Sequence, residues 1–589
     1  MGSETPESPE PRRGRVVMLV NNGVDGDSRV QKSAASAAAA GWEVCLLGSS
    51  PDMRRRTWWH EGAEVRLLPK PSPLSVRAHD VRSPVLRRPL AYRDSRKAAQ
   101  RAQWVKAYRA DLRVRRDALA LRARQENAPL SVPLRTAGLA VPRAASRVLG
   151  RWVALRTRQL ASVQRRRGSL DSAADHMAVA FWKVALRRRA WQRLVPHLLD
   201  FDLAFAKEID KLAPDLIHAH DYHMLGVAAR AVVRARAEGR SVKLVWDAHE
   251  YVPGLNAPNP RWLAGVSGYE RAHAAMADAV VTVSRPLAEL LRKNHGLPEL
   301  PTVTLNAPVA VPPAEAHGED AEPVPDLREL CGIDASTPLV VYLGGISPAR
   351  GVGDVIEALR RMPGVHLALV SKHPQSGLTP AARAVVGHTG IDERIHVLPY
   401  VPYWQVVPFV EPADVAVSPL HHLANHEIAL SNKFFEYSQA RLPLVVSDVR
   451  TMAETVRATG QGEVFRAEDP EDCARALRAV LADPARYRAA YDAPGLLEQW
   501  TWEAQGRKLD GLYTRLLADG PADGLPDGLT DDPELFREGD ENADLCGGAR
   551  EDRAAAGRPV RGQGTSRDGR RRGRPRGAAG EGRDGALPR

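Results

Sequence analysis

Short apolar runs, each bounded by a polar loop and followed by a helical pattern, recur in two stretches of this 589-residue chain. Strands buried on both faces read as continuous apolar runs, and helices between them impose parallel pairing, so the pattern predicts two α/β units. The first unit opens with Val16-Val17-Met18-Leu19-Val20, passes through the loop NNGVDGDSRV into an alanine-rich helix from about Ser28 to Ala40, and returns in WEVCLLG. Further strands are expected at Leu216–Asp221, Lys243–Glu250, Ala279–Ser284 and Thr302–Pro308. The second unit begins near Pro338 with PLVVYLGGI and an amphipathic helix, then continues through VHLALVS, RIHVLPYV, DVAVSPL and PLVVSDV. A last helix follows from Gln499, with Trp502, Leu509, Leu512, Tyr513 and Leu516 on one stripe.

Composition excludes several classes. No run of 18 apolar residues exists, so no helix is expected to span a membrane. The start, MGSETPESPEPRRG, lacks the apolar core of a signal peptide, and a cytoplasmic location is expected. Cys45, Cys331, Cys473 and Cys546 lie far apart, which indicates neither a disulfide framework nor a zinc site. The net charge of +12 is concentrated: residues 71–200 hold 29 Lys and Arg against 8 Asp and Glu, a surplus of +21. Within them RKAAQRAQWVKAYRADLRVRRDALALRAR predicts a helix whose apolar side is Trp104, Val105, Tyr108, Leu112 and Leu119. Such a basic amphipathic helix either lies on an anionic membrane surface or belongs to a helical insertion whose charges face water; both readings stay open. Residues 1–14 and the Gly, Pro, Arg, Asp and Glu-rich tail 519–589 are expected to be disordered. Arg572-Gly573-Arg574-Pro575 resembles an AT-hook core, a single copy in a low-complexity run, and no nucleic-acid partner is expected.

Ligands of parallel α/β sheets gather at the carboxyl ends of the strands. His249 stands at such an end between Asp247 and Glu250. His218 and His220 share one strand face, without a third ligand at metal spacing. Gly23 and Gly26 shape the loop after the first strand, but the dinucleotide fingerprint is absent and no dinucleotide cofactor is expected. Gly344 and Gly345 allow close backbone approach to a ligand, with Arg350 a few residues on. The stretch NHEIALSNKFFEYSQARLPLVVSD, residues 425–448, reads as a polar loop, a helix opening near Asn432, a breaker at Arg441–Pro443, and a buried strand. Lys433 and Glu436 lie in the first turns of that helix. A helix N-terminus favours an anion, and a carboxylate just inside it can accept hydrogen bonds from paired sugar hydroxyls, which suggests a phosphosugar site. The alternatives are a capping Glu436 and a solvated, helix-starting Arg350.

ALSNKFFEY, residues 429–437, with the PLVVSD that follows, resembles the signature of family-four retaining glycosyltransferases of the GT-B fold. The resemblance covers about residues 15–50 and 200–518. It implies an α/β chain of two Rossmann-like domains facing across a cleft: 15–310, with the basic helical insertion 71–200, and 311–498. Helix 499–518 would cross back to the first. In that family the second glutamate of an E-x7-E motif grips the nucleotide ribose, and Glu436 holds that place; the first falls at Ile428, with Glu427 one residue away. The family's GR…KG phosphate clamp has Arg350 for its lysine and Gly345 or Ile346 for its arginine, so Lys433 would supply the second cation. The resemblance thus implies His249, Arg350 and Lys433 as catalytic residues. Gly23, Gly344, Gly345, Arg350, Asn432, Lys433 and Glu436 would bind the nucleotide-sugar donor. It further implies front-face transfer without metal or cofactor, a lipid-linked or polysaccharide acceptor, and a peripheral place on the inner face of the cell membrane. Two alternatives are a non-catalytic GT-B scaffold at the membrane and a GT-B nucleotide-sugar epimerase, which would need acidic and histidine residues around the sugar C2.

Overall fold

The computed structural model describes residues 13–75, 92, 95–124, 131–158, 173–257, 259–310, 323–371 and 392–518. Most of the expected lead (1–12), the expected tail (519–589) and the AT-hook-like run lie outside them. Arg13 and Gly14, expected in a disordered lead, are instead tied down, because the Arg13 guanidinium lies over the Trp42 ring and donates to the Ala40 carbonyl.

The first sheet comprises β1 (Arg15–Leu19), β2 (Glu43–Ser50), β3 (Arg56–His60), β4 (Ala63–Pro69), β5 (Leu216–His220), β6 (Lys243–Ala248), β7 (Ala279–Thr282) and β8 (Thr302–Val303). Their order is β3-β4-β2-β1-β5-β6-β7-β8, parallel except where edge strand β3 runs antiparallel to β4. The second sheet comprises β9 (Leu339–Leu343), β10 (His366–Ser371), β11 (Ile395–Pro399), β12 (Val415–Ser418), β13 (Leu444–Ser447) and β14 (Gly462–Phe465). It is parallel throughout, in the order β11-β10-β9-β12-β13-β14. Side chains alternate between two cores on opposite faces of each sheet. Val17 and Leu19 enter one and Val16 and Met18 the other; Leu339, Val341 and Leu343 enter one and Val340 and Tyr342 the other. Burial on both faces explains why these strands read as unbroken apolar runs. In each sheet the chain winds outward in both directions from one strand, β1 or β9, and such switch points open a crevice at the carboxyl ends.

The strand expected over Thr302–Pro308 is only Thr302–Val303. Beyond it the backbone carbonyls serve side chains and the closing helix rather than a ladder: Thr304 accepts from Arg29, Ala307 from Lys32, and Pro308 from the Trp502 amide. The helix Trp502–Ala518 buries Trp502, Leu509, Leu512, Tyr513 and Leu516 in the core beneath β1 and β2. The Trp502 indole donates to Ser36 Oγ at 2.7 Å, on the helix Ser28–Ala39.

The insertion differs from the lipid-facing reading. In the helix Ser95–Ala123 the side chains of Trp104, Val105, Leu112 and Leu119 are buried and Tyr108 stacks on Trp104. Asp111 on the same helix pairs with Arg115 and with Arg230 of the helix Asp221–Ala237, all three buried. The apolar side is thus buried in the domain's own core, which favours the helical-insertion alternative over the lipid-facing one for this helix. Among the described residues no helix is long and apolar enough to cross a membrane.

Candidate active site

Two groups of charged side chains collect at the strand ends. In the first sheet, β5 and β6 are neighbours in register, with His220 opposite Asp247, so both side chains meet at the carboxyl edge. Arg29, on the helix after β1, reaches Asp247 with two hydrogen bonds of 2.8 Å and also bonds Thr304 and Asn306. Burial works against the Asp247 charge, but Arg29 and His249 override it and hold the carboxyl well below its ordinary range. His218 and His220 stack at 4.2 Å, wholly buried, and burial pushes the pKa of both rings down. His218 Nδ1 meets the Tyr513 hydroxyl at 2.6 Å. His249 Nε2 lies 3.4 Å from both Asp247 Oδ2 and His220 Nδ1, and its side chain is 22% exposed, so it is the member of the group that reaches the surface. Burial pulls the His249 pKa down, yet Asp247 more than offsets this and leaves it raised.

His218, His220 and Asp247 place one ligand atom each within 4.8 Å of one another, a spacing a metal ion accepts. The bidentate guanidinium already neutralises the carboxylate there, which makes the trio a poor cation site.

In the second sheet, β9 runs into a turn at Gly344 and Gly345, fixed by Tyr342 Oη donating to the Gly345 carbonyl and the Leu343 amide donating to Tyr437 Oη at 2.7 Å. Gly344 has φ +118°, and a Cβ there would fall 2.2 Å from Lys433 Cε. The missing side chain is thus what admits the Lys433 stem over the turn. Arg350 ends a short turn, and Gly351 at φ +66° seats it against the loop after β12, where a Cβ would overlap the Pro419 carbonyl oxygen at 1.7 Å. Burial, and after it the Arg350 charge, pull the Lys433 pKa down to about 8.

Asn432 opens the helix Asn432–Gln439, and Glu436 lies one turn in, buried, with Oε2 accepting no hydrogen bond. Burial raises its pKa against the pull of Lys433 and Lys32. Lys32 belongs to the helix after β1, so a cation from the first domain acts on the carboxylate of the second. It donates to the Ala307 carbonyl, lies 4.7 Å from the Trp502 ring centroid, and burial lowers its pKa.

The one-turn helix Ala424–Glu427 and the Ile428 that ends it span the two domains. The Tyr251 amide donates to Asn425 Oδ1 at 2.8 Å and Asn425 Nδ2 returns a bond to the Tyr251 carbonyl at 3.0 Å. Ile428 joins the core of the first domain, and its carbonyl accepts from Ser284 Oγ. Glu427 points elsewhere: Oε2 accepts from the Arg450 amide at 2.7 Å, at the start of the helix Arg450–Thr459, and Oε1 meets His422. Gly254 lines a neighbouring cavity of about 490 Å³ that also touches Leu263 and Leu423.

Of the residues expected from sequence, the structure groups Gly344, Lys433, Arg350, Asn432 and Glu436, and leaves Gly345 exposed beside them. His249 stands on the opposite side, where Arg350 and His249 both act on the Glu250 carboxyl. Gly23 packs at ordinary distance on Pro51, while the backbone strain of its loop sits on Val24 at φ +70°, and Gly26 takes φ +73° without strain. Sequence reasoning missed Arg29 and Lys32. Their signal was two cations three residues apart, hence on one face, of an otherwise alanine-rich helix.

A profile of the glycosyl transferases group 1 matches residues 337–483, and one of glycosyltransferase family 4 matches residues 159–309. The chain belongs to the family-four, group 1 glycosyltransferases. The D-inositol 3-phosphate glycosyltransferase of Xylanimonas cellulosilytica is 27% identical over 52% of this chain and 73% of its own. Three relatives of the same description align over only 43% to 45% of their own length. Sucrose-phosphate synthase from Thermosynechococcus elongatus superposes with TM-score 0.52 at 15% identity, covering 86% of this chain and all of that one. Anabaena HepE in complex with UDP-glucose superposes with TM-score 0.50 at 12% identity, over 85% and 100%. These likenesses establish the GT-B fold, and the family makes this glycosyltransferase an enzyme.

Proposed function

We propose that this glycosyltransferase takes a sugar from a nucleoside diphosphate sugar and transfers it with retention to a hydroxyl of a lipid-linked or polysaccharide acceptor. The observation that carries the donor half is Glu436: a buried carboxylate with one oxygen unpartnered, one turn inside a helix N-terminus, beside Lys433 and near Arg350. A buried, unpaired carboxylate oxygen is costly, and the paired hydroxyls of a ribose would satisfy it. The diphosphate would lie over Gly344 and Gly345, against Lys433, Arg350 and the Asn432 end of the helix.

In the reaction the bond from the sugar C1 to the β-phosphate oxygen breaks, and the acceptor oxygen bonds to C1 on the same face. The acceptor's proton passes to the departing phosphate oxygen. Negative charge grows on that phosphate as the bond breaks, and each preorganised cation or N–H group aimed at it contributes about 3–4 kcal/mol. Arg350 and Lys433 fill the role that a divalent metal plays elsewhere, so the transfer is proposed to be metal-independent. His249, partly exposed and held in place by Asp247, would face the sugar from the first domain. The Tyr251–Asn425 pair and the seat of Ile428 favour a closed cleft, which excludes the water that would hydrolyse the donor. Support for the acceptor half is the +21 surplus of residues 71–200, which suits an anionic acceptor or the cytoplasmic face of a membrane.

The test is a thermal-shift panel of UDP-, GDP-, ADP- and TDP-sugars on the full chain, repeated with Glu436→Ala. One nucleotide class raises the melting temperature of the wild type and not of the variant. No shift with any of them, or an equal shift in the variant, would overturn the donor assignment.

A further inference from the structure

The helix Ala140–Arg158 carries most of its large apolar side chains on the outward face. Its inner side packs only lightly on the core: Ser146 and Val153 are buried, Leu149 is partly buried against the same core, and Gly150 lies against Arg109 of the helix Ser95–Ala123. Its outer side presents Val141, Val148, Trp152 and Leu155, between 41% and 74% exposed. Their spacing of seven, four and three residues sets them in one stripe. Leu134, in the preceding helix Ser131–Gly138, is 77% exposed. Surfaces of monomeric proteins rarely keep apolar side chains of this size together in water without a partner.

Charge says what the partner is. Residues 131–158 contain six arginines and no acidic residue. Arg147 and Arg151, both exposed, each precede a member of the stripe and so flank it along one edge. A second protein would have to supply matching acids for each arginine. A bilayer with anionic headgroups takes the whole pattern at once: the apolar stripe enters the acyl boundary, the tryptophan sits at headgroup depth, and the arginine stems lie along the interface with their guanidinium groups on phosphates. The helix Ala173–Leu186 repeats the motif with Met177, Phe181 and Val184 on one exposed stripe, followed at once by Arg187, Arg188 and Arg189.

We propose that the outward face of the helix Ala140–Arg158 docks this glycosyltransferase flat onto an anionic lipid bilayer, with the helix Ser95–Ala123 as its internal support. The membrane face thus belongs to the helix after the one whose sequence looks most amphipathic and basic. The proposal deepens the acceptor-side reading above and rests on it for purpose only, since bilayer binding is read without donor, acceptor or turnover.

The test floats the full chain with vesicles of phosphatidylcholine alone and of phosphatidylcholine with phosphatidylglycerol, beside the variant Val148→Ser/Trp152→Ser/Leu155→Ser. The wild type floats only with the anionic vesicles, and the variant binds them at least about tenfold less while melting at the same temperature, because the replaced side chains support no core. The nucleotide-sugar thermal shift is the same for both, which separates this outcome from any failure of the donor assignment. Three results would overturn the proposal: no flotation of the wild type, equal flotation of the variant, or a dimer in light scattering that the three substitutions make monomeric. The last would mean that a second copy covers the stripe.

Discussion

Asp247 and Glu436 are both buried carboxylates at the strand ends of their sheets, and they are treated in opposite ways. Asp247 is saturated, with two hydrogen bonds from Arg29 and three histidine rings within 3.7 Å. Glu436 has cations near it from both domains, Lys433 and Lys32, yet Oε2 receives nothing. A closed circuit of buried charge resists disruption and specifies one arrangement, whereas an incomplete one at a crevice is poised for a ligand to complete it. The first domain thus holds its charge for structure and offers only His249 outward; the second keeps its charge available.

Substitutions should separate the two. Arg29→Met leaves Asp247 charged, buried and uncompensated, and should cost about 3–5 kcal/mol of stability in urea unfolding. A smaller loss than from an ordinary surface substitution would dissolve the contrast. Lys433→Ala should leave stability nearly intact but reduce kcat/KM by about 10²–10³, as for loss of a preorganised donor to a developing oxyanion. Glu436→Gln keeps the shape and removes a carboxylate whose Oε2 accepts no hydrogen bond, so the free protein should be nearly as stable as the wild type. Its donor affinity should fall by about 1.5–3 kcal/mol, the worth of hydrogen bonds to a charged acceptor, in a calorimetric titration. Stability lost together with binding would place Glu436 in the same class as Asp247.

The Lys433 pKa, depressed to about 8, adds a pH dependence. The ammonium is the form that binds phosphate; it is present below that pH and lost above it. Donor affinity should therefore be flat at lower pH and fall about tenfold per pH unit above about 8. Lys433→Arg should carry the plateau upward. The smallest effect expected is from Glu427→Ala. Glu427 bonds the Arg450 amide rather than facing Glu436, so about 1 kcal/mol of stability should go, with donor affinity unchanged.

Legibility followed burial. Strands packed on both faces announced themselves as apolar runs, and β1, β2, β5, β6, β7, β9, β10, β11, β12 and β13 appear where those runs fall. The half-exposed pair β3–β4 and the edge strand β14 carry broken patterns, RTWWH and GEVF among them, and left no such mark. Gly344, Lys433 and Glu436 could be found because a helix start, a glycine turn and a carboxylate lie within short stretches whose local chemistry is readable. Ile428 could not be interpreted the same way. It looked like a gap in a motif, and it is a side chain seated in the other domain's core.

The sequence by itself determined the doubly buried strands, the helices that bear the site and the family, since periodicity, glycine turns and a helix N-terminus are properties of neighbouring residues. Only the tertiary structure decided that Arg29 neutralises Asp247 from 218 positions away, and that Lys32 acts on Glu436 across the cleft. It also decided that the basic helix Ser95–Ala123 turns its apolar side inward while the next long helix turns its own outward. Each of these is a choice of partner between segments far apart in the chain, and long-range electrostatics and packing, unlike periodicity, leave no trace in local order.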